Sequence, residues 1–462
     1  MINYNKKSVR ISLPTLIFTV GFALSFAVVM TVINIKYAII LITALMISLF
    51  AIFIFLRPFF GVWLFFISFP LKIDLPVGGT FFDTNEILVA FLFVVLLLRW
   101  IMFGEKFPRI SKYFLLFILL ILFIIISFLV AHNKEEVIKG IARYIGYLMF
   151  YVVVLGYVKN LKQIKLLLVS VILAHTFITF HGFYQAFTLK QYDLILGGNL
   201  FRIKSVYNNA NYLAAILEYL TLILIGLYWS KTLKSKLIFF GLFSIFVIGV
   251  ILTQTRTAWI VLVLGILFML YMRYKGKLLI FLPFLILMAF LFLPFYPDFI
   301  LKRIKTINDP RNISNKGRIV LLKIGWNMFR DHWFLGTGFE NSREVLVHYR
   351  LPGVPPHIQD LHNMYMVMFV EIGIIGGSIF VLLFLLPILD NLKTYKRISD
   401  KQEKYLALGL GSATLCFALH LLNDYLFIDP RVEWFIWGML GIITSFNHLV
   451  SYDKMFLNDV ET

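Results

Sequence analysis

Arg256 sits in a short polar turn, Thr253-Gln254-Thr255-Arg256, between two long apolar runs. Arg202 comes just before Tyr207-Asn208-Asn209-Ala210-Asn211, and Arg318 follows Gly317. A guanidinium is planar, keeps its charge, and presents donors that can grip phosphate oxygens two at a time. Leu361-His362-Asn363 opens another apolar run. An imidazole there titrates near neutrality and can take a proton from a hydroxyl as general base. Anion binding and proton abstraction are therefore the chemistry these residue types allow. No aspartate pair or Asp-x-Asp stands on the same loops, and Asp424 and Asp429 alone do not make a cation site. No metal and no cofactor are expected.

A second group of ionisable residues lies inside apolar runs, where charge is costly and usually functional. Arg143, His181, Glu218, Glu371 and His420 all fall toward the same side of their runs, with His175 near a midpoint. This one-sidedness predicts a polar cavity open to one face, whereas a transporter would place its site near the midplane and reach both sides.

The elements that must position these residues follow from composition. Of 462 residues, 60% are hydrophobic and 15% charged, and phenylalanine alone occurs 49 times. A soluble domain is about half apolar and a quarter charged. There are about fourteen apolar runs near the ~20 residues a membrane helix needs. The fold expected is all-α: a single polytopic integral membrane domain over 1–462 with about 12–14 transmembrane helices. Outer-membrane barrels are excluded because the runs do not alternate polar and apolar. The lone cysteine, Cys416, excludes an intramolecular disulfide and a thiolate metal site.

The net charge of +19 could suggest nucleic acid, but topology accounts for it without one. With the N-terminus inside, Lys6, Lys7 and Arg10, then Arg99, Lys106 and Arg109, then Lys231, Lys234 and Lys236, then Arg273 and Lys275, and Lys393, Lys396 and Arg397 all fall in short loops on the cytoplasmic side. Both termini are then cytoplasmic, and Met1 to Arg10 precedes a retained signal anchor. The run at 58–70 is short, yet keeping it as a span preserves this charge pattern. The arginines and His362 share the outer face. That face also carries one long loop, 298–361, in which Ile319, Leu322, Trp326 and Phe329 recur at helical spacing beside Arg318, Lys323 and Arg330. The pattern fits an amphipathic helix on the membrane surface, or one packed on the loop's own small core.

His362-Asn363 followed by Gly373-x-x-Gly376, with Gly317-Arg318 and Gly336-Thr337-Gly338-Phe339 in the preceding loop, resembles the O-antigen ligase and polymerase superfamily. The resemblance extends to Arg57-Pro58, the Arg202 loop and Thr253-Gln254-Thr255-Arg256, so it covers roughly 50–450. It implies a bacterial inner-membrane glycosyltransferase whose active site faces the periplasm. The donor would be a glycan on undecaprenyl diphosphate, the acceptor a lipid A core sugar or another glycan, and membrane lipids the surroundings. His362, Arg256 and Arg202 would be the catalytic set. Arg318 would join them on the diphosphate, and Asn363, Arg143 and Glu371 would complete substrate binding. Metal-independent displacement at the anomeric carbon, with inversion, is the reaction expected. Gly377 follows Gly376 where ligases of the family tend to carry Thr or Phe, which leaves ligase against polymerase open. A flippase or other transporter of lipid-linked saccharide is the alternative from another class.

Overall fold

The computed structural model describes residues 35–72, 74–77, 80–189, 192–193, 200–277, 301, 313–351, 354 and 359–458. The chain divides into two units, 1–58 and 59–462. The first holds α1, Ile35–Leu56. Helix α2, Pro58–Ser68, starts at the last residue of the first unit and otherwise belongs to the second, where α3 runs Thr84–Phe103, α4 Lys112–Ser127 and α5 Lys134–Tyr157. Then come α6 (Leu161–Tyr184), α7 (Ala210–Trp229), α8 (Lys236–Leu252) and α9 (Arg256–Tyr274). The remainder are α10 (Ile313–Asp331), α11 (Ser342–Leu346), α12 (Met364–Arg397), α13 (Lys401–His420) and α14 (Pro430–Asn458). Two small antiparallel hairpins, Asp74–Val77 with Thr80–Asp83 and Tyr192–Asp193 with Leu200–Phe201, are the strands among the described residues.

The architecture is that of an all-α polytopic membrane protein. Six described helices, α3, α5, α6, α7, α9 and α12, are long and apolar enough to cross a bilayer. Apolar helices α4 and α8 have 16 and 17 residues. At 1.5 Å per residue, the 11-residue α2 rises only about 16 Å, so by itself it falls short of the ~30 Å hydrocarbon core. Expected runs at about 12–33 and 277–296 lie outside the described residues.

Helix starts follow from capping chemistry. Ser111, Asn133, Asn160, Asn209, Ser235, Asn363 and Asp400 each accept from a backbone amide of the first turn of their helix. Asp83 and Glu86 form a reciprocal capping box on α3. Within lipid, helices gain little from burying apolar surface, so small residues and side-chain hydrogen bonds fix their contacts. Gly226 of α7 and Gly409 of α13 face each other so closely that a Cβ on either would approach the other's backbone at 3.0 Å. Tyr147 of α5 donates to Glu433 of α14 at 2.8 Å. The same pair of helices is wedged by Trp434 edge-on to Tyr147.

The 34-residue α12 is broken at Ile372 and Gly373, the latter at φ +70° and ψ −175°. The segment 333–338 fills the break. Thr337 and Gly338 donate backbone N–H to the carbonyls of Val370 and Glu371 at 2.9 and 3.0 Å, and Ile374 donates to Trp333 at 2.8 Å. A Cβ on Gly373 would strike the Phe334 carbonyl, and one on Gly336 would strike the Glu371 carbonyl. Gly373 is thus the break itself rather than one of a pair allowing close helix approach, and the nearest atoms a Cβ on Gly376 would meet belong to the Ile372 side chain. Beyond the break, Phe339 packs edge-on to Tyr144 and its N–H donates to Ser127, so the loop is seated on the α4–α5 corner.

The helix expected in the long loop is α10, and it has two apolar faces. Leu321, Ile324 and Met328 are buried against Leu346, Leu361, Val367 and Val370, with Phe329 packed on the same cluster. Ile319, Leu322 and Trp326 point outward. The stripe read from the sequence is therefore mostly the outward one, and the packed core uses its neighbour.

Candidate active site

Helix ends from distant parts of the second unit meet at one end of the bundle: the starts of α7, α9, α12 and α14 and the ends of α8 and α13. At the centre is Asp424, just past α13 and 2% exposed. One of its oxygens accepts from the Asn211 amide at 2.8 Å and from Arg318 at 3.3 Å. The other meets His420 Nε2 at 3.2 Å, and His420 Nδ1 meets Glu218 at 2.9 Å. Burial opposes ionisation of Asp424. The His420 hydrogen bond and the charges of Arg318, His420 and His362 nevertheless hold its pKa below the usual carboxylate value.

The three arginines converge here. Arg256, at the first position of α9, interacts electrostatically with Arg318, Asp424 and Arg202. Arg202 donates to the Thr253 carbonyl at 2.7 Å, to Asn211 at 2.6 Å and to Thr255 at 3.0 Å. It thereby pins the turn that presents Arg256 to the start of α7. Gln254 in that turn and His362 both hold left-handed backbone, φ 51° and 50°. Such conformations persist where surrounding structure enforces them, often at active sites.

His362 is half-buried, beside the first turn of α12, with its charge felt at Asp424. Asn363 has both ends of its amide engaged: the oxygen accepts from Met366 N–H at 2.9 Å and the nitrogen donates to the Leu422 carbonyl at 2.8 Å. Met364 N–H adds a bond to the Leu421 carbonyl at 2.9 Å. These contacts tie His362 to the Asp424 segment. Sequence reasoning passed over Asp424, Glu218 and His420 as a unit. The signal available was His420 and Asp424 four residues apart, one helical turn.

Arg143 and Glu371 lie elsewhere. They line a separate polar cavity of about 410 Å³ with Asn133, Glu136, Glu340 and Tyr425. Arg143 pairs with Glu340, and Glu371 accepts from the Ser342 hydroxyl at 2.6 Å. His175 bonds to Tyr207 and the Val171 carbonyl, and His181 to Ser205, so both are partnered.

At the opposite end of the bundle, Arg273 lies over the rings of Trp229 and Tyr405, and Tyr395 donates to the Met272 carbonyl. The basic loops around 231–236, 273–275 and 393–404 thus share one end, away from the arginine cluster.

Residues 240–381 match the family described as O-antigen ligase, which bears out the resemblance read from the sequence. The matched segment includes Arg256, Arg318, His362 and Glu371, while Arg202, Arg143 and Asp424 lie outside it. No curated protein matches the chain.

Proposed function

We propose, with residues 240–381 in the O-antigen ligase family as the premise, that this membrane protein is a glycosyltransferase acting on a glycan carried by undecaprenyl diphosphate. The acceptor in this reading is a lipid A core sugar. The observation that carries it is the convergence of Arg202, Arg256, Arg318 and His362 around Asp424 from segments far apart in sequence. An acceptor hydroxyl gives its proton to His362 as its oxygen bonds to the anomeric carbon. The bond from that carbon to the diphosphate oxygen breaks, and the lipid diphosphate leaves with the electron pair. Guanidinium groups fixed in advance meet that developing charge, commonly the largest catalytic contribution. One direct displacement inverts the anomeric centre. Asp424 would stabilise the imidazolium formed at His362, and Asn363 would position it through its two bonds to the helix start and the Leu422 carbonyl.

In this reading the arginine-bearing end faces the periplasm of a bacterial inner membrane and both termini are cytoplasmic, as short-loop charge favours. No metal, cofactor or nucleic acid takes part. The second reading is a polymerase that extends the glycan on its lipid carrier. Gly377 does not choose between them, because the Phe369 ring fills the space a side chain there would need. Purified protein incubated with lipid-linked glycan and each acceptor class should release undecaprenyl diphosphate with one of them. Release with neither would sink the proposal.

A further inference from the structure

His420 is the last residue of α13, and its ring reaches past the helix end to Asp424 with one nitrogen and to Glu218 of α7 with the other. All three side chains are buried. The contacts are 2.9 Å from Nδ1 to Glu218 and 3.2 Å from Nε2 to Asp424. A carboxylate oxygen bonds to a ring nitrogen only across a proton, so the chain shares two protons over three groups. With Asp424 ionised, one of them is the Nε2–H that it accepts, and the other sits between the ring and Glu218. A buried chain of ionisable groups adds little stability, because desolvation offsets most of its attraction. What it does is fix geometry. Glu218 Oε2 makes no hydrogen bond among the described residues, so the contact of that carboxylate is with the ring. Asp424 has both oxygens engaged, one by His420 and the other by Asn211 and Arg318.

The turn between His420 and Asp424 is also where the helix after His362 attaches. Met364 N–H bonds to the Leu421 carbonyl, and the Asn363 amide to the Leu422 carbonyl. The His420–Asp424 bond therefore closes the turn that holds the start of α12. We infer that His420, oriented by Glu218, is a positioning residue for glycan transfer: it locks the Asp424 carboxylate so that one oxygen stays on Arg318 and Asn211 while its charge acts on His362. The inference rests on the glycosyltransferase reading. Without the ring, Asp424 is free to turn, and the charge that meets the imidazolium formed at His362 is displaced. Arg202 keeps its bonds to Thr253, Asn211 and Thr255, none of which involves His420. The loss should therefore fall on the transfer step and spare donor binding.

Single-turnover transfer and binding of undecaprenyl diphosphate, measured on full-length His420→Gln, Asp424→Asn and the double variant, test it. Glutamine lacks the rigid ring that spans the two carboxylates. Transfer by His420→Gln should fall ~10–100-fold, the effect of a displacement of about 1 Å, with undecaprenyl diphosphate binding nearly unchanged. Asp424→Asn should cost at least as much. In that background His420→Gln should add less than ~2–3-fold, because residues that act through one another are not additive. Glu218→Leu frees the ring without touching Asp424, and should show a smaller loss with the same dependence on Asp424. Losses that multiply in the double variant would make His420 merely structural and overturn the inference. Unchanged transfer in His420→Gln, or weakened undecaprenyl diphosphate binding with the transfer step intact, would overturn it as well. If one of the two variants misfolds, as melting temperature reports, the other carries the test; misfolding of both would make the chain a structural element and overturn the inference. Wild-type protein that transfers no glycan defeats the glycosyltransferase reading and this inference with it, whereas transfer that depends on Arg256 but not on His420 defeats the inference alone.

Discussion

Replacing Gly373 by alanine should detach the 333–338 segment from the broken helix. At φ +70° and ψ −175° a residue with a Cβ is strained by about 1–3 kcal/mol. The added carbon also collides with the Phe334 carbonyl, which must withdraw. Withdrawal weakens the Thr337, Gly338 and Ile374 hydrogen bonds, each contributing about 0.5–1.5 kcal/mol net. The combined effect is about 3–7 kcal/mol against the docked segment. Since each 1.4 kcal/mol is tenfold, opening should rise ~100-fold or more. The assay is thiol labelling at Thr337→Cys, a buried position, with Cys416 replaced by alanine. Gly376→Ala is the comparison. There the nearest atoms are those of the Ile372 side chain, at 2.7–3.0 Å, and not a backbone carbonyl of the docked segment, so that side chain must shift but labelling should rise far less than with Gly373→Ala. If the two glycines had equal and small effects, the repaired break would be wrong and a simple small-residue helix contact would replace it.

Arg256→Lys keeps the charge but loses the planar fork, so transfer should fall strongly at normal expression; near-wild-type transfer would reduce Arg256 to a general electrostatic role. Arg318→Gln should make the protein more acid-sensitive, measured as melting temperature against pH. Asp424 is held below the ordinary carboxylate pKa, so its stabilisation is present above the unfolded value and lost as pH falls through the folded one. Without Arg318 that loss should begin at higher pH. Cysteines at Ser235 and Thr394 should be labelled only once the inner membrane is opened, whereas one at Lys323 should react from the periplasm in intact cells. Cytoplasmic reactivity at Lys323 would remove the periplasmic site.

Much of this organisation was legible because membrane helices advertise themselves: uninterrupted apolar runs mark the elements, and an arginine in the Thr253-Gln254-Thr255-Arg256 turn stands out against them. Arg202, Arg256, Arg318 and His362 were placed on one face by charge counting, and the structure gathers them at one end of the bundle. What was not legible depends on distance in sequence. Asp424 looked like an isolated loop carboxylate, and only folding brings Asn211, Arg318 and His420 to it. Gly373-x-x-Gly376 reads equally as helix packing or helix break, and the loop that repairs the break lies about forty positions earlier. Two apolar stripes on α10 overlap in sequence, so periodicity could not say which one packs. Arg143 and Glu371 shared a side of the membrane with the arginine cluster but belong to another cavity, a separation within one face that hydropathy does not encode.

In the proposed reaction the arginines hold the donor while His362 takes the acceptor's proton. Donor affinity and single-turnover transfer, measured on the same purified His362→Gln protein, test it most directly. An amide can hydrogen-bond a hydroxyl but cannot accept its proton, so transfer should fall ~10²–10⁴-fold with donor affinity nearly unchanged. Wild-type turnover in that variant, or loss of donor binding, would contradict the assignment of His362 as the base.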